Sequence, residues 1–487
     1  MGEVRSRGAL LLIALVAFLH AGFFIFHMQP DREEFFVAPP QSAGGYEWIA
    51  RNLLRGVYSQ EQATTGPVTP DTQRTPGYPL FLAIIYVFFG TNDTPVLWIQ
   101  ACLFVLICLG LYHLGRRMSG RSLGLLAGLA TALYAPIPKY GGMPWSEMLT
   151  TFLQVFGIVT LVVAVQRASS RWFVLAGATL GFLGLTRPTF VYEPLLLAAV
   201  LAVLQWRSVQ RAQLVKYVAV FLIGWLVVVS PWAAFNYIRF GKPTPTVVRT
   251  IGKQIWYGYW VGKFPTMTMI QLDDVVWRLK KGEYKREQVP DVIRPLGGDQ
   301  ALMLQYIDEY TSKGHFSGTP STPEEKVREN MLKDQFYLDR ALDHIRHDPL
   351  AYLRTQLFFV SFKFWAGEIP VRLTLIGKLP KAVIYASFLA QVALLLLAIA
   401  GCWRLRATPI LLALVLVPLL YLYLVHLPFH VEPRYSIPVK PFLLLLAAGG
   451  LLELRDRFFL VRRSPAVFPQ TGITAGDSLS VKSGPES

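Results

Sequence analysis

Ten apolar runs, most of them near the length that crosses a bilayer, leave this chain few folds to choose from. They extend from about Ala9 to Phe26, Val96 to Leu114, Leu123 to Pro136, Leu149 to Val165, Trp172 to Leu185, Pro194 to Leu204 and Val218 to Trp232, then from Val383 to Gly401, Ile410 to Val425 and Pro441 to Leu452. A helix needs roughly twenty apolar residues to span the hydrocarbon core, and it satisfies its own backbone there. The expectation is an all-α polytopic membrane protein with about ten transmembrane helices. Composition agrees, with 53% hydrophobic and only 16% charged residues, against about a quarter charged in soluble domains.

The net charge of +16 suits nucleic acid only until the cations are placed. Arg116, Arg117 and Arg121 lie between runs, as do Arg167 with Arg171, Arg207 with Arg211 and Lys216, and Arg404 with Arg406; Arg455, Arg457, Arg462 and Arg463 follow the last. Such clusters face the cytoplasm under the positive-inside rule, so the pattern reads as membrane orientation with both termini cytoplasmic and no nucleic-acid partner. The count closes if Pro79–Phe89 is too short to cross and Leu350–Trp365, with Arg354 and Lys363, lies along the interface. The first run follows Arg5 and Arg7 without a small-residue cleavage site, and reads as a retained anchor. Cys102, Cys108 and Cys402 show no disulfide or zinc spacing and read as core residues.

This divides the chain into an N-terminal transmembrane module (1–235), an outer cap (236–378), C-terminal transmembrane helices (379–463) and a disordered cytoplasmic tail (464–487). The first outer loop (28–94) is expected to carry juxtamembrane helices. No internal repeat is evident.

Polar residues gather where the outer ends of the helices fall. Asp31, Glu33 and Glu34 follow the first run, Glu47 lies in the first loop, and Glu147 opens the fourth run. A carboxylate can act as a general base on a hydroxyl; the plainer reading of Glu147 is a favourable charge at a helix N-terminus with Ser146 as cap. Arg74, Arg187, Lys253 and Arg434 are isolated outer cations able to grip phosphate; the plainer reading is pairing with lipid headgroups or with a carboxylate such as Glu432. His426, His430 and Glu432 could ligate a divalent metal by spacing, but Pro428 and Pro433 break the helix that would align them. Neither a metal nor another cofactor is assigned.

The residues of these loops resemble the GT-C superfamily of integral-membrane glycosyltransferases, in particular its bacterial protein O-mannosyltransferase and aminoarabinose-transferase branch. The resemblance rests on Tyr46-Glu47-Trp48-Ile49-Ala50-Arg51-Asn52-Leu53-Leu54-Arg55-Gly56, Arg74-Thr75-Pro76-Gly77-Tyr78-Pro79-Leu80, Ser146-Glu147 and Leu185-Thr186-Arg187-Pro188. Pro231-Trp232 with Asn236-Tyr237, and Glu432-Pro433-Arg434-Tyr435, complete the ordered set. It implies a GT-C fold in the bacterial cytoplasmic membrane and a polyprenyl-phosphate-linked sugar donor. It also implies an outward-facing cell-envelope acceptor (glycan, lipid or protein) with an alcohol, and inversion by a carboxylate base with cations stabilising the leaving phosphate. Asp31, Glu147 and Glu47 are then the catalytic candidates; Ser42, Tyr46, Arg74, Tyr78, Lys253, Arg434 and Tyr435 are the substrate-binding candidates. Two departures stand out: Ser42 occupies the slot where the family places an aspartate, and Phe235 precedes Asn236 where relatives place arginine. The first keeps a non-catalytic binding or scaffold protein open as an alternative, and a transporter is a more distant one.

Overall fold

In the computed structural model the described residues are 2–36, 45–61, 68–249, 251–264, 299–311, 322–371 and 378–459, with short pieces between 275 and 289 and residue 375. Ser42 and the tail from 460 onward lie outside them. The described residues contain helices and no strand. Eight helices are long and apolar enough to cross a membrane. Each of the ten apolar runs falls largely within a helix, but the eight include Asp93–Leu133 once, and Ser170–Thr186, with 17 residues, is too short to be counted.

Chain order explains the packing. Helix α1 (Gly2–His27) leads into the short α2 (Gln29–Phe36), α3 (Tyr46–Leu53) and α4 (Gly77–Phe89). Helix α5 (Asp93–Leu133) is a hairpin, because Ser119 and Gly120 leave helical geometry and Gly120 has φ 83°, a conformation that only glycine adopts freely. Its legs touch closely: a Cβ on Gly124 would come within 2.5 Å of the Tyr112 carbonyl. Then come α6 (Pro136–Gly141), α7 (Glu147–Arg167), α8 (Ser170–Thr186), α9 (Glu193–Gln205) and α10 (Arg211–Phe240). Gly177 and Gly224 let α8 and α10 meet backbone to backbone, the small-residue packing that membranes favour where no hydrophobic drive separates helix from lipid.

The segment after α10 builds a second core. Helices α11 (Ile251–Lys263), α12 (Gln300–Thr311) and α13 (Pro323–His347) bury Trp256, Trp260, Met303, Tyr306 and Ala341. Glu309 accepts from the indoles of Trp256 (2.8 Å) and Trp260 (3.2 Å), and its other oxygen lies 2.8 Å from His344. This layer rests on the first loop: the amides of Val248 and Arg249 both donate to the Thr72 carbonyl at 3.2 Å, and Lys326 reaches Glu61 at 3.3 Å.

Residues 349–366 form one bent helical stretch: α14 (Pro349–Thr355), a π-turn at Gln356–Val360, and α15 (Ser361–Ala366). Leu350, Leu353, Leu357, Phe358 and Phe362 are exposed along it, the apolar face expected of an interfacial helix. Helices α16 (Lys381–Leu405), α17 (Pro409–His426) and α18 (Lys440–Phe459) complete the chain.

Candidate active site

The N-terminus of α7 is the meeting point. Ser146 occupies the N-cap position without making a side-chain cap bond, so the cap part of the plainer reading fails, while Glu147 does stand in the first turn of α7. The Glu147 carboxylate is instead buried, 4% exposed, between two guanidiniums. Arg187 Nη1 lies 3.7 Å from Glu147 Oε1 and Arg434 Nε lies 3.8 Å from the same oxygen. Arg187 is where it is because α8 ends at Thr186 and Pro188 cannot extend it. Arg434 is carried by the 3-10 turn Pro433–Val439 that opens α18.

Around this core the aromatic rings set the walls. Arg434 lies over Trp145 (4.9 Å to the ring centroid), Arg187 over Tyr435 (4.8 Å), and Tyr140 stacks on Trp145 at 5.9 Å. Arg434 Nε also lies 2.6 Å from Glu432, whose other oxygen is 3.6 Å from His430 Nε2. Burial opposes the Glu432 charge, but Arg434 and His430 prevail and hold its carboxyl well below the usual range. His426, by contrast, turns its Nδ1 to the Leu422 carbonyl at 2.8 Å. Among the described residues no three His, Cys, Asp or Glu side chains converge as metal ligands, the His426, His430 and Glu432 set included.

The first loop is pressed against this cluster. A Cβ on Gly77 would sit 2.6 Å from the Thr186 amide nitrogen, next to Arg187. Arg74, three residues earlier, lies over the Tyr46 ring at 5.1 Å, and Tyr46 packs edge-on against Tyr78 at 5.2 Å. Tyr78 donates to Gln100 Oε1 (3.1 Å), and Gln100 in turn donates to the carbonyls of Gly141 (2.9 Å) and Met143 (2.8 Å) in the Glu147 loop. The Arg74 turn is itself held by Asp71, whose Oδ1 accepts from the amides of Gln73 (3.0 Å) and Arg74 (2.6 Å).

The other candidates are placed less centrally. Asp31 is fully buried on α2; its neighbour Arg32 donates to the Gly142 carbonyl at 2.6 Å, so α2 borders the same loop. Glu47 pairs with Arg51 one turn along α3. Lys253 is in the second core, over Tyr257 (5.0 Å) and Tyr310 (5.7 Å), next to Gln254, whose carbonyl accepts from the His430 amide at 3.2 Å. Phe235 stacks on Trp232 at 5.0 Å and meets Tyr58 at 6.0 Å.

One buried network beside the site was not among the sequence candidates. Lys139, Glu368 and Lys440 are all essentially inaccessible. Lys139 pairs with Glu368 and donates to the Ile369 carbonyl at 2.9 Å; Tyr140 donates to Glu368 Oε2 at 3.1 Å. Lys440 donates to the Trp365 carbonyl at 2.7 Å. The network ties α6, the turn after α15 and the start of α18 together beside Trp145.

Comparison with known proteins points the same way. Residues 73–235 match the family model of dolichyl-phosphate-mannose-protein mannosyltransferases. The apo crystal structure of the Archaeoglobus fulgidus oligosaccharyltransferase aligns with a TM-score of 0.50 at 15% identity, over 93% of this chain and 51% of that one. The same enzyme tethered to an acceptor peptide with the NVT sequon gives 0.50, 15%, 93% and 50%. ArnT from Cupriavidus metallidurans bound to undecaprenyl phosphate aligns at 16% identity over 91% of this chain and 78% of that one, with a TM-score of 0.38. This chain spans about half the length of the oligosaccharyltransferase. No curated protein sequence matches. The family match over residues 73–235 and the architecture shared with the oligosaccharyltransferase support a multi-pass membrane chain whose fold is similar to that of GT-C glycosyltransferases.

Proposed function

We propose that this protein transfers a sugar from a polyprenyl-phosphate carrier to an acceptor hydroxyl, at the membrane face that carries Glu147. The observation that carries the reading is the buried Glu147 with Arg187 and Arg434 both within 3.8 Å. Two guanidiniums and a carboxylate at one point are what an inverting displacement on a lipid-phosphate sugar requires. The matched family model, described by a dolichyl-phosphate sugar donor, supports this donor class.

In this reading the donor phosphate docks on Arg187 and Arg434, with Arg74 at the mouth and Lys253 supplying longer-range positive charge. Tyr46 and Tyr435 line the approach, and the buried Tyr78 holds Tyr46 in place. As the guanidiniums turn to the phosphate, Glu147 is released from them and accepts the proton of the acceptor hydroxyl. The hydroxyl oxygen then bonds to the anomeric carbon, the carbon–oxygen bond to phosphate breaks, and its electron pair leaves on the phosphate. The growing charge falls on groups already oriented for it, which is where electrostatic catalysis is strongest. Asp31 is the second candidate base; Glu47, held by Arg51, has no part. The clusters at Arg116–Arg121, Arg167–Arg171 and Arg207–Lys216, cytoplasmic under the positive-inside rule, support an outward-facing site. The region 236–378 acts as its cap.

The test is turnover by the purified full chain. A polyprenyl-phosphate sugar should release polyprenyl phosphate only when an acceptor alcohol is present. Glu147→Gln should lose roughly 10²-fold or more in kcat, the range for a general base, while Asp31→Asn loses less. Donor binding without transfer would favour the non-catalytic alternative that Ser42 leaves open. Full turnover by the Glu147→Gln and Asp31→Asn double variant would remove the mechanism.

A further inference from the structure

A second polar site lies at the other end of the same helices. Helix α7 has 21 residues, so at 1.5 Å per residue its far end is about 30 Å from Glu147. There a cavity of about 220 Å³ opens between the ends of α7 and α9 and the starts of α8 and α10, lined by Phe173, Gln205, Ser208, Gln210, Gln213 and Tyr217 among others. It is smaller than the roughly 300 Å³ at which ordinary ligand pockets begin, and of headgroup rather than nucleotide size.

Four observations define what it would hold. Gln205 lines the cavity with its residue 6% exposed, and its side-chain amide has no hydrogen-bond partner among the described residues, so its polar atoms are free to meet a group in the cavity. Gln213 and Tyr217 are by contrast prearranged: Gln213 donates to the Tyr217 hydroxyl (2.5 Å), which donates to the Ala168 carbonyl (2.6 Å). The 30-residue helix α10 begins at this cavity with Gln210 as an N-cap that makes no side-chain cap bond, so its first amides and helix dipole are available to an anion. Finally, cations stand around the cavity without lining it: Arg167 ends α7, Arg171 is in the first turn of α8, Arg207 follows α9, and Arg211 and Lys216 are in the first two turns of α10; the only carboxylate between residues 165 and 217 is Glu193, at the opposite end of α9.

We propose that this cavity binds the phosphate headgroup of an anionic phospholipid from the leaflet opposite the Glu147 face. Gln205 and the α10 amides would meet the phosphodiester and the arginines its charge, the arrangement by which basic pockets between membrane helices select acidic lipids. The site is separate from the transfer site, and the inference does not depend on the reading of that site.

The test is native mass spectrometry of the full chain in detergent, titrated with phosphatidylglycerol or phosphatidylcholine of identical acyl chains. One phosphatidylglycerol should be retained, at least tenfold more tightly than phosphatidylcholine, and 1 mM glycerol 1-phosphate (on the order of a weak-ligand Kd) should not displace it. Gln205→Leu should weaken retention at least fivefold, and Arg207→Gln with Arg211→Gln at least tenfold. Arg116→Gln with Arg121→Gln, which removes the same charge from a neighbouring cluster, should leave it unchanged. Equal retention of the two lipids, equal loss in the Arg116/Arg121 variant, or displacement by the soluble phosphate would each overturn the proposal. Arg207 and Arg211 are exposed, so their variant keeps the test decisive if Gln205→Leu does not fold.

Discussion

Breaking the Lys139–Glu368 pair offers the sharpest examination of how the Glu147 loop is held. Both side chains are within 2% of complete burial, and each has further partners, Ile369 for the ammonium and Tyr140 for the carboxylate. Removing one member therefore leaves a buried charge whose compensation is lost, at a cost of about 3–5 kcal/mol. Glu368→Gln keeps the shape and strands Lys139; Lys139→Met strands Glu368, leaving it Tyr140 and the more distant Lys440. The double variant carries neither charge and should recover most of the loss, so the coupling energy should be about 2–3 kcal/mol and opposite in sign to the single effects. Thermal unfolding of the detergent-solubilised protein, followed by tryptophan fluorescence, gives the four corners of the cycle. Because Tyr140 carries Trp145 and Trp145 carries Arg434, turnover should fall in the single variants and return in part in the double. If the two single effects simply add, within about 0.5 kcal/mol, the pair is not a unit and the positioning argument fails.

Two further outcomes follow from the same geometry. Gly77→Ala would drive a methyl to 2.6 Å from the Thr186 backbone nitrogen; neither backbone can yield cheaply, so the variant should lose about 1–3 kcal/mol and turnover with it, and a wild-type unfolding temperature would contradict the contact. Lys363 concerns pH: burial lowers its ammonium to about 8 from an ordinary 10.5, with Glu432 working the other way. Between those two values the unfolded chain holds the extra proton, so stability should rise with pH from about 8 to 10.5, by at most about 1.4 kcal/mol per unit. Lys363→Met should flatten that rise, and an unchanged slope would refute the assignment.

The helices were legible because membrane burial writes itself into local composition. An apolar run needs no distant partner to be recognised, and each of the ten lies largely in a helix. What the runs did not show was the α5 hairpin as one continuous unit: the break needs only Ser119 and Gly120, two residues that resemble any short loop until Gly120 is seen at φ 83°. Nor could composition show that α8 and α10 touch through Gly177 and Gly224, since a glycine in an apolar run looks the same whether it faces lipid or another backbone.

The site was legible only one residue at a time. Arg187 and Arg434 stood out as cations against the charge bias of their ends, and Glu147 as an acid opening an apolar run, yet 40 and 287 residues separate the two arginines from the carboxylate they flank. No sequence period encodes such a meeting; it arises because α7 begins, α8 ends and the turn before α18 falls at one level. The Lys139–Glu368 pair is the harder case, since neither residue breaks a local rule: Lys139 lies in a proline-flanked turn and Glu368 in a polar one. Lys440 was the available signal. A lone ammonium at the threshold of an apolar span, in Val439-Lys440-Pro441, is expensive unless it is satisfied, and asking what satisfies it leads to the Trp365 carbonyl and, three residues on, to Glu368. A charge at the edge of an apolar span thus announces that a partner exists somewhere in the chain, because lipid leaves it no other way to persist.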